Sequence, residues 1–258
     1  MLILLPPSEG KTAPRRGAPL ALDRLSLPSL NPAREAVIES LVALCRGDEA
    51  VAAEVLGVPK TQPELVTRNA SLLAAPTARA DAIYTGVLYD ALDAGSLSTA
   101  AKRRAASRVM VTSSVFGLVG FGDRIPAYRL SGDTTLPGLG GVQAHWRRHL
   151  GPAALEALGG GLLVDLRSGT YASFWRPDEV AARTATVRVL HEVGGVRKVV
   201  SHFNKATKGR IVRALLEAGA APRTPTKLAD VLRDLGWAVE LGAPTTSGTR
   251  LDVVVGEL

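Results

Sequence analysis

A chain of 258 residues, 46% of them hydrophobic, is long enough to bury a substantial core within one domain. Its formal net charge of +7 favours anionic partners such as nucleic acid or nucleotides, although charge governs association and not fold. The single cysteine, Cys45, excludes an intramolecular disulfide and a cysteine-built zinc cluster, and Leu41 and Leu44 beside it predict a packed thiol in a reducing compartment.

Residues 1–5 (MLILL) are a short apolar run ended by Pro6, Pro7 and Gly10, the pattern of a strand buried on both faces. The run carries neither a basic leader nor a cleavage site, and nothing in the chain approaches the roughly 20 apolar residues of a membrane span. A soluble, cytoplasmic protein is expected. Residues 11–30 hold Pro14, Gly17, Pro19 and Pro28, too many breakers for a helix, and read as a surface excursion. A helix is expected from Pro32, with Asn31 as its N-cap and Val37, Leu41 and Leu44 on one face. Residues 49–56 and 64–73 read as two more helices, separated by Gly57, Pro59 and Pro63.

Short strands follow at residues 82–85, 108–113, 162–166, 197–201 and 251–255, each ended by a polar or glycine-containing turn. Helices are expected between them at residues 99–106, 142–150, 208–218 and 226–235. The last has Thr226 as its cap and Leu228, Val231, Leu232 and Leu235 on one stripe. The pattern predicts a mixed α/β fold, a single compact domain over residues 1–258 with a central mixed sheet and surrounding helices, without internal repeat or linker. Strand order is not legible.

The loop PPSEGKT after the first strand shares Gly10-Lys11-Thr12 with the phosphate-cradling G-x-x-x-x-G-K-[ST] motif. Leu5 occupies the place of that motif's first glycine, and APRRGAP after Thr12 cannot form the helix whose N-terminus would hold the phosphates. The loop is therefore not an ATP-hydrolysing P-loop. Ser8, Lys11 and Thr12 remain candidates for an anion, because ligands of open α/β sheets gather where buried strands end. The alternative is an ordinary surface turn with a weak ion pair between Glu9 and Lys11.

The densest polar segment is SHFNKATKGR, residues 201–210, which follows an expected strand and opens a helix. Lys205, Lys208 and Arg210, with His202 and Asn204, would present donors where the helix dipole already favours an anion; a solvated basic helix start is the alternative. In LLVDLRSGTYASFW, residues 162–175, Asp165 sits inside an apolar strand, with Ser168, Gly169 and Tyr171 in the turn after it. A carboxylate so placed must be paired, hydrogen-bonded or protonated. It is either a catalytic base or ligand-orienting group with Tyr171 as acid or stacking partner, or half of a structural ion pair, for example with a basic residue of the 201–210 segment. In SSVFGLVGFGDRIPAYRL, residues 113–130, Gly117, Gly120 and Gly122 force tight turns before Tyr128 and Arg129, and Arg129 suits bidentate contact with an anion.

His145 and His149 lie one helical turn apart beside Arg147 and Arg148 and read as a solvated face, so no metal is expected, and no cofactor. Two turns bear on DNA. LPGLG at residues 136–140 has the letters of a helix-hairpin-helix turn, whose amides grip a phosphate, but AYRLSGDTT before it is not helical. VLGVPK at residues 55–60 is better flanked by helices, with an incomplete glycine pattern.

Taken in order, MLILLPPSEGKT, AIYTG, SSVFGLVGFGDRIPAYRL, LLVDLRSGTYASFW and VVSHFNKATKGR resemble the YaaA family of bacterial peroxide-stress proteins over nearly the whole chain. A frequent opening in that family is a strand followed by S-P-A-K-T, whereas P-P-S-E-G-K-T here implies a second branch. The resemblance implies a compact α/β domain with a fold of its own, a helix-hairpin-helix element, a basic cleft for duplex DNA and a role in limiting iron-driven DNA damage.

Two functional readings follow. In one, a DNA-binding stress protein contacts phosphates through Lys11, Arg129, Lys205, Lys208 and Arg210, with Ser8, Thr12, Tyr128, Ser168 and Asn204 as polar neighbours. In the other, an enzyme acts on a small phosphorylated or purine-nucleotide-like substrate, with Asp165 and Tyr171 in acid–base roles. Convergence of Lys11, Asp165, Tyr171 and Lys205 in one pocket favours a small-molecule site, and scattered positions favour a DNA-binding surface.

Overall fold

Four consecutive apolar residues, Leu2–Leu5 (β1), are buried at every position because they lie near the middle of the sheet, covered on both faces. The computed structural model describes residues 1–256, and the side chains of Ser201 and His202 lie outside the described set. The other strands of the sheet are Val109–Ser113 (β2), Gly117–Gly120 (β3), Leu163–Asp165 (β4), Thr184–Val193 (β5), Val196–Lys198 (β6), Ala238–Thr245 (β7) and Gly248–Val255 (β8). Their order is β7-β8-β5-β4-β1-β2-β3, with β6 also paired to β5. The run β8-β5-β4-β1-β2 is parallel throughout, while β3, β6 and β7 pair antiparallel. The result is one mixed α/β domain built on one mixed sheet.

The helices are Asn31–Arg46 (α1), Glu49–Leu56 (α2), Glu64–Ala70 (α3), Val87–Leu92 (α4), Thr99–Arg108 (α5), Val142–Leu158 (α6), Ser201–Ala218 (α7) and Pro225–Asp234 (α8), with single turns at Ala80–Ile83 and Gly169–Ala172. In α1, Val37 and Leu41 are fully buried, and Cys45 is a buried free thiol whose pKa burial pushes up, against a lowering hydrogen bond from Asn69. Asn31 does not cap α1 but lies in its first turn, where its Oδ1 accepts from Arg34 Nη1 at 2.8 Å. Arg34 is buried too, donating to the carbonyls of Ser26, Phe116 and Leu118 and so tying α1 to β3.

Several expectations are corrected. Residues 82–85 are not a strand. The single turn Ala80–Ile83 is docked through the Ala80 N–H on the Asp123 carbonyl at 2.8 Å, and only Tyr84 bridges, to Lys11. Residues 197–201 do not form a buried strand either: β6 is exposed, and the helix expected from 208 already begins at Ser201. LPGLG is no helix-hairpin-helix turn, because Thr135–Leu136 and Gly140–Gly141 pair as a small antiparallel hairpin. His145 is not solvated but buried, its Nε2 3.0 Å from the Ala33 carbonyl. By contrast α2 and α3 do flank VLGVPK, with Gly57 in the left-handed region (φ 57°) that an L side chain disfavours.

Helix α8 shows how local chemistry sets a boundary. Thr224, not Thr226, caps it, accepting from the Lys227 N–H at 3.2 Å, and Pro225 takes the first helical position. Thr224→Ala is expected to cost about 1 kcal/mol in equilibrium urea unfolding, and Thr226→Ala to cost a small fraction of that; equal losses would place the cap wrongly.

Candidate functional site

The parallel strands β1, β2 and β4 deliver their C-terminal ends to one side of the sheet, and the chain passes from β1 to β2 on one side of it and later returns through α6 to β4 on the other. Such a switch point opens a crevice in which ligands of α/β sheets gather. Here it holds a cleft of about 510 Å³, walled by the loop from Pro6 to Lys11, by Thr85, Gly86 and Tyr89, by Arg129, Ser131 and Asp133, and by Ser168, Thr170, Tyr171 and Lys205. The volume falls within the range of small-molecule sites.

Lys11 is locked into this cleft by its own backbone. Residue 11 bridges Tyr84, and the Thr12 N–H donates to the Ile83 carbonyl at 2.9 Å. The side chain then curls back, so that Nζ donates to the Ser8 carbonyl at 2.6 Å and the Glu9 carbonyl at 3.4 Å. Nζ also lies 4.3 Å from the centre of the Tyr128 ring and 5.6 Å from that of Tyr84, whose π faces attract a cation. The Glu9 carboxylate turns away to Arg129, 3.0 Å from Nη1, so the local Glu9–Lys11 ion pair is replaced by a pair across the cleft. Burial, and then the Arg129 charge, bring the Lys11 pKa down to about 7, against a smaller raising effect of Glu9.

Beneath the ammonium lies a phenol network. Tyr128 Oη is 3.0 Å from Tyr84 Oη and 2.8 Å from Ser113 Oγ, and Ser113 Oγ accepts the Phe116 N–H at 3.0 Å. Tyr89 stacks on Tyr84 with ring centres 5.4 Å apart and donates to the Pro6 carbonyl at 2.6 Å, which pins the loop before Ser8. With Tyr171, these are all four tyrosines of the chain. Burial raises the pKa of each, so they stay neutral phenols near pH 7, and Tyr171 is a poor proton donor for acid catalysis.

The residues singled out in the sequence divide clearly. Ser8, Lys11, Arg129, Ser168, Tyr171 and Lys205 line the cleft, and Tyr128 underlies Lys11. Ser8 Oγ donates to the Gly10 carbonyl at 2.5 Å and accepts the Thr85 N–H at 3.1 Å. Arg129 keeps a buried Nε with no hydrogen-bond partner among the described residues. Thr12, Asn204, Lys208 and Arg210 are not among the lining residues. Lys208 Nζ reaches the Leu166 carbonyl at 3.3 Å, and burial lowers its pKa while Asp165 raises it. Asn204 has a buried Oδ1 without a partner among the described residues, Thr12 and Arg210 are exposed, and the His202 side chain lies outside the described set.

Asp165 does not line the cleft. Its carboxylate takes Arg167 Nε at 2.8 Å, Arg167 Nη2 at 2.6 Å and the Arg167 N–H at 3.1 Å, all buried. Of the two readings of this residue the geometry is that of the ion pair, and the partner is Arg167 rather than a lysine of α7. Arg167 continues to the carbonyls of Trp175 at 3.0 Å and Tyr171 at 3.3 Å, so the pair suspends the segment that brings Ser168, Thr170 and Tyr171 to the cleft.

Two lining groups escaped the sequence reading: Tyr89, and the Asp133 turn. The available signal for the first was AIYTGVLY, two tyrosines bracketing Gly86, which at φ 94° turns the chain into α4. The α2–α3 pair also reaches this region, since Asn69 Nδ2 donates to the Arg129 carbonyl at 2.6 Å and Asn69 Oδ1 accepts the Arg129 N–H at 2.9 Å.

The lowered Lys11 pKa predicts a pH signature. Between about pH 7 and pH 10 the unfolded chain binds this proton more tightly than the folded one, so folding stability rises with pH across that window. Lys11→Met removes the term. The variant should gain most over the wild type near pH 6, and the gap in urea midpoint should close toward pH 10; a gap independent of pH would contradict the buried amine.

The model of the peroxide stress protein YaaA family matches residues 1–241. The chain is 57% identical to a UPF0246 protein of Streptomyces coelicolor over 100% of both chains, and 45% identical to a UPF0246 protein of Corynebacterium efficiens over 93% of this chain and 95% of that one. An uncharacterized protein of Campylobacter jejuni is 26% identical over 81% of this chain and 82% of its own. The chain belongs to the YaaA family of peroxide stress proteins.

Proposed function

We propose that the protein serves peroxide-stress protection by binding DNA at the mouth of the Lys11 cleft, shielding it from iron-driven damage, and that the cleft receives one phosphate-bearing nucleotide unit. The observation that carries the nucleotide-unit half of this reading is the convergence of Lys11, Arg129, Tyr171 and Lys205 on one cleft of about 510 Å³ with hydroxyl-bearing walls, from which only Asp165 of the expected set is missing. That volume suits a single nucleotide and is too small for a duplex, whose remaining phosphates would meet the surface around the mouth. Lys205 and Arg210 on α7 are exposed for such contact, and the formal net charge of +7 favours it. The α2–α3 hairpin, joined to Arg129 through Asn69, is the candidate helix-hairpin-helix grip beside the cleft.

Fluorescence anisotropy with a labelled duplex tests the nucleic-acid half, and thermal shift with mononucleotides tests the cleft. Duplex affinity should fall by about tenfold or more between 50 and 200 mM salt. Lys205→Ala should weaken it by about threefold to tenfold, as loss of one phosphate contact does. Salt-insensitive or absent binding together with no nucleotide shift would sink the reading. The second reading, an enzyme for a small phosphorylated or purine-nucleotide-like substrate, is favoured by the placement of Lys11 in the cleft, its Nζ held by the Ser8 carbonyl over the Tyr128 ring, where burial and Arg129 bring its pKa down to about 7.

A further inference from the structure

Lys11 lines the cleft, yet no carboxylate lies within ion-pair distance of Nζ among the described residues, because the neighbouring Glu9 is taken by Arg129. Two backbone carbonyls, those of Ser8 and Glu9, accept its N–H groups. A neutral amine has two hydrogens and one lone pair, so with both hydrogens held, the lone pair is what remains to meet a ligand. Arg129 and Lys205 stand on the walls of the same cleft, suited to a phosphate carried by that ligand.

We propose that Lys11 is an imine-forming lysine, whose amine condenses with the carbonyl carbon of a phosphorylated open-chain sugar held in the cleft. This rests on the reading of the cleft as a phosphate-binding site. Desolvation and a neighbouring cation are the usual means of keeping a nucleophilic lysine uncharged, and burial and Arg129 supply both here. The Nζ lone pair attacks the carbonyl carbon and the C–N bond forms. The carbonyl π pair moves to oxygen, and the two nitrogen-bound hydrogens end on that oxygen, which leaves as water as the C=N bond closes. No oxidant, reductant or further reactant is needed. The same chemistry is presented by a free aldose phosphate and by the ring-opened deoxyribose of an abasic site in DNA.

The test traps the imine. The full chain is incubated with sodium cyanoborohydride and either 2-deoxyribose 5-phosphate or a duplex containing one abasic site, and the adduct is mapped by peptide mass spectrometry. The expected result is a one-to-one adduct on the peptide containing Lys11, forming faster as pH rises from 6 to 8 and absent from Lys11→Arg. Trapping by the sugar phosphate alone identifies a free metabolite as the substrate, and trapping by the duplex alone identifies damaged DNA. No adduct on Lys11 with either probe, or equal labelling of surface lysines in the wild type and Lys11→Arg, overturns the proposal. Thermal shift with glycerol 3-phosphate, which has no carbonyl, separates the two readings. A shift without trapping removes only the imine, whereas loss of both removes the phosphate site as well.

Discussion

Arg167→Met is expected to destabilise the protein by about 3–5 kcal/mol, the cost of leaving one member of a buried ion pair without its partner. The Asp165 carboxylate would retain only the Arg167 N–H of the three bonds it now accepts from that residue. The Trp175 carbonyl would lose its donor at the same time, and the Tyr171 carbonyl would keep the Phe174 N–H, so the segment carrying Ser168 and Tyr171 should loosen and ligand binding in the cleft should fall with stability. Arg167→Lys should recover little, because an ammonium cannot span both carboxylate oxygens and reach two carbonyls. Replacing both partners, Asp165→Leu with Arg167→Met, should be less harmful than the arginine change alone, since neither member of the pair is then left facing a missing partner. Equilibrium urea unfolding at neutral pH measures all three; a single-variant loss below about 1 kcal/mol would contradict the pair's role.

Gly209→Ala should cost about 2–3 kcal/mol, although alanine in a helix interior ordinarily gains up to about 1 kcal/mol over glycine. A Cβ at residue 209 would lie 2.2 Å from the Leu88 carbonyl oxygen and 2.9 Å from the Leu92 nitrogen, both backbone atoms of α4 that cannot swing aside. The two helices must move apart, and α4 carries Tyr89, whose hydroxyl fixes the Pro6 carbonyl at the cleft. The change should therefore weaken ligand binding from outside the site. Gly151 in α6 is the control, because its nearest neighbour would be a Trp175 ring atom at an ordinary 3.6 Å. Gly151→Ala, crowded only by the following Pro152, should cost well under the Gly209 loss, and equal losses at both positions would refute the close-approach argument.

The contrast between Asp165 and Lys11 shows what the sequence could and could not disclose. β1 and α2 were legible because burial and capping follow from local pattern: four apolar residues before two prolines, and eight helical residues between Asp48 and Gly57. The Asp165–Arg167 pair is equally local, since residues two apart in an extended segment face the same side, but the basic cluster at 201–210 offers a competing partner that only the fold excludes. β5 was missed although it alternates, because its polar positions hide a cross-strand contact: Arg188 reaches Asp252 at 2.8 and 2.6 Å on a strand more than sixty residues later. The turn at Ala80–Ile83 has strand-like neighbours in sequence and is held helical by Asp123 and Phe121, which only the folded chain brings near. The cleft itself was foreshadowed by its loops, whereas the tyrosine floor depended on strand order, which no local pattern encodes.

The position of β1 also bears on how the molecule comes to exist. It precedes both of its neighbours in the sheet, which begin at Val109 and Leu163, so one of its edges waits for more than a hundred further residues and the other for more than a hundred and fifty. Parallel pairing over such separations is slow and exposes aggregation-prone segments in the interval. The nascent protein should therefore depend on chaperones far more than the finished one, and the loop that holds Lys11 should be among the last parts to acquire its shape.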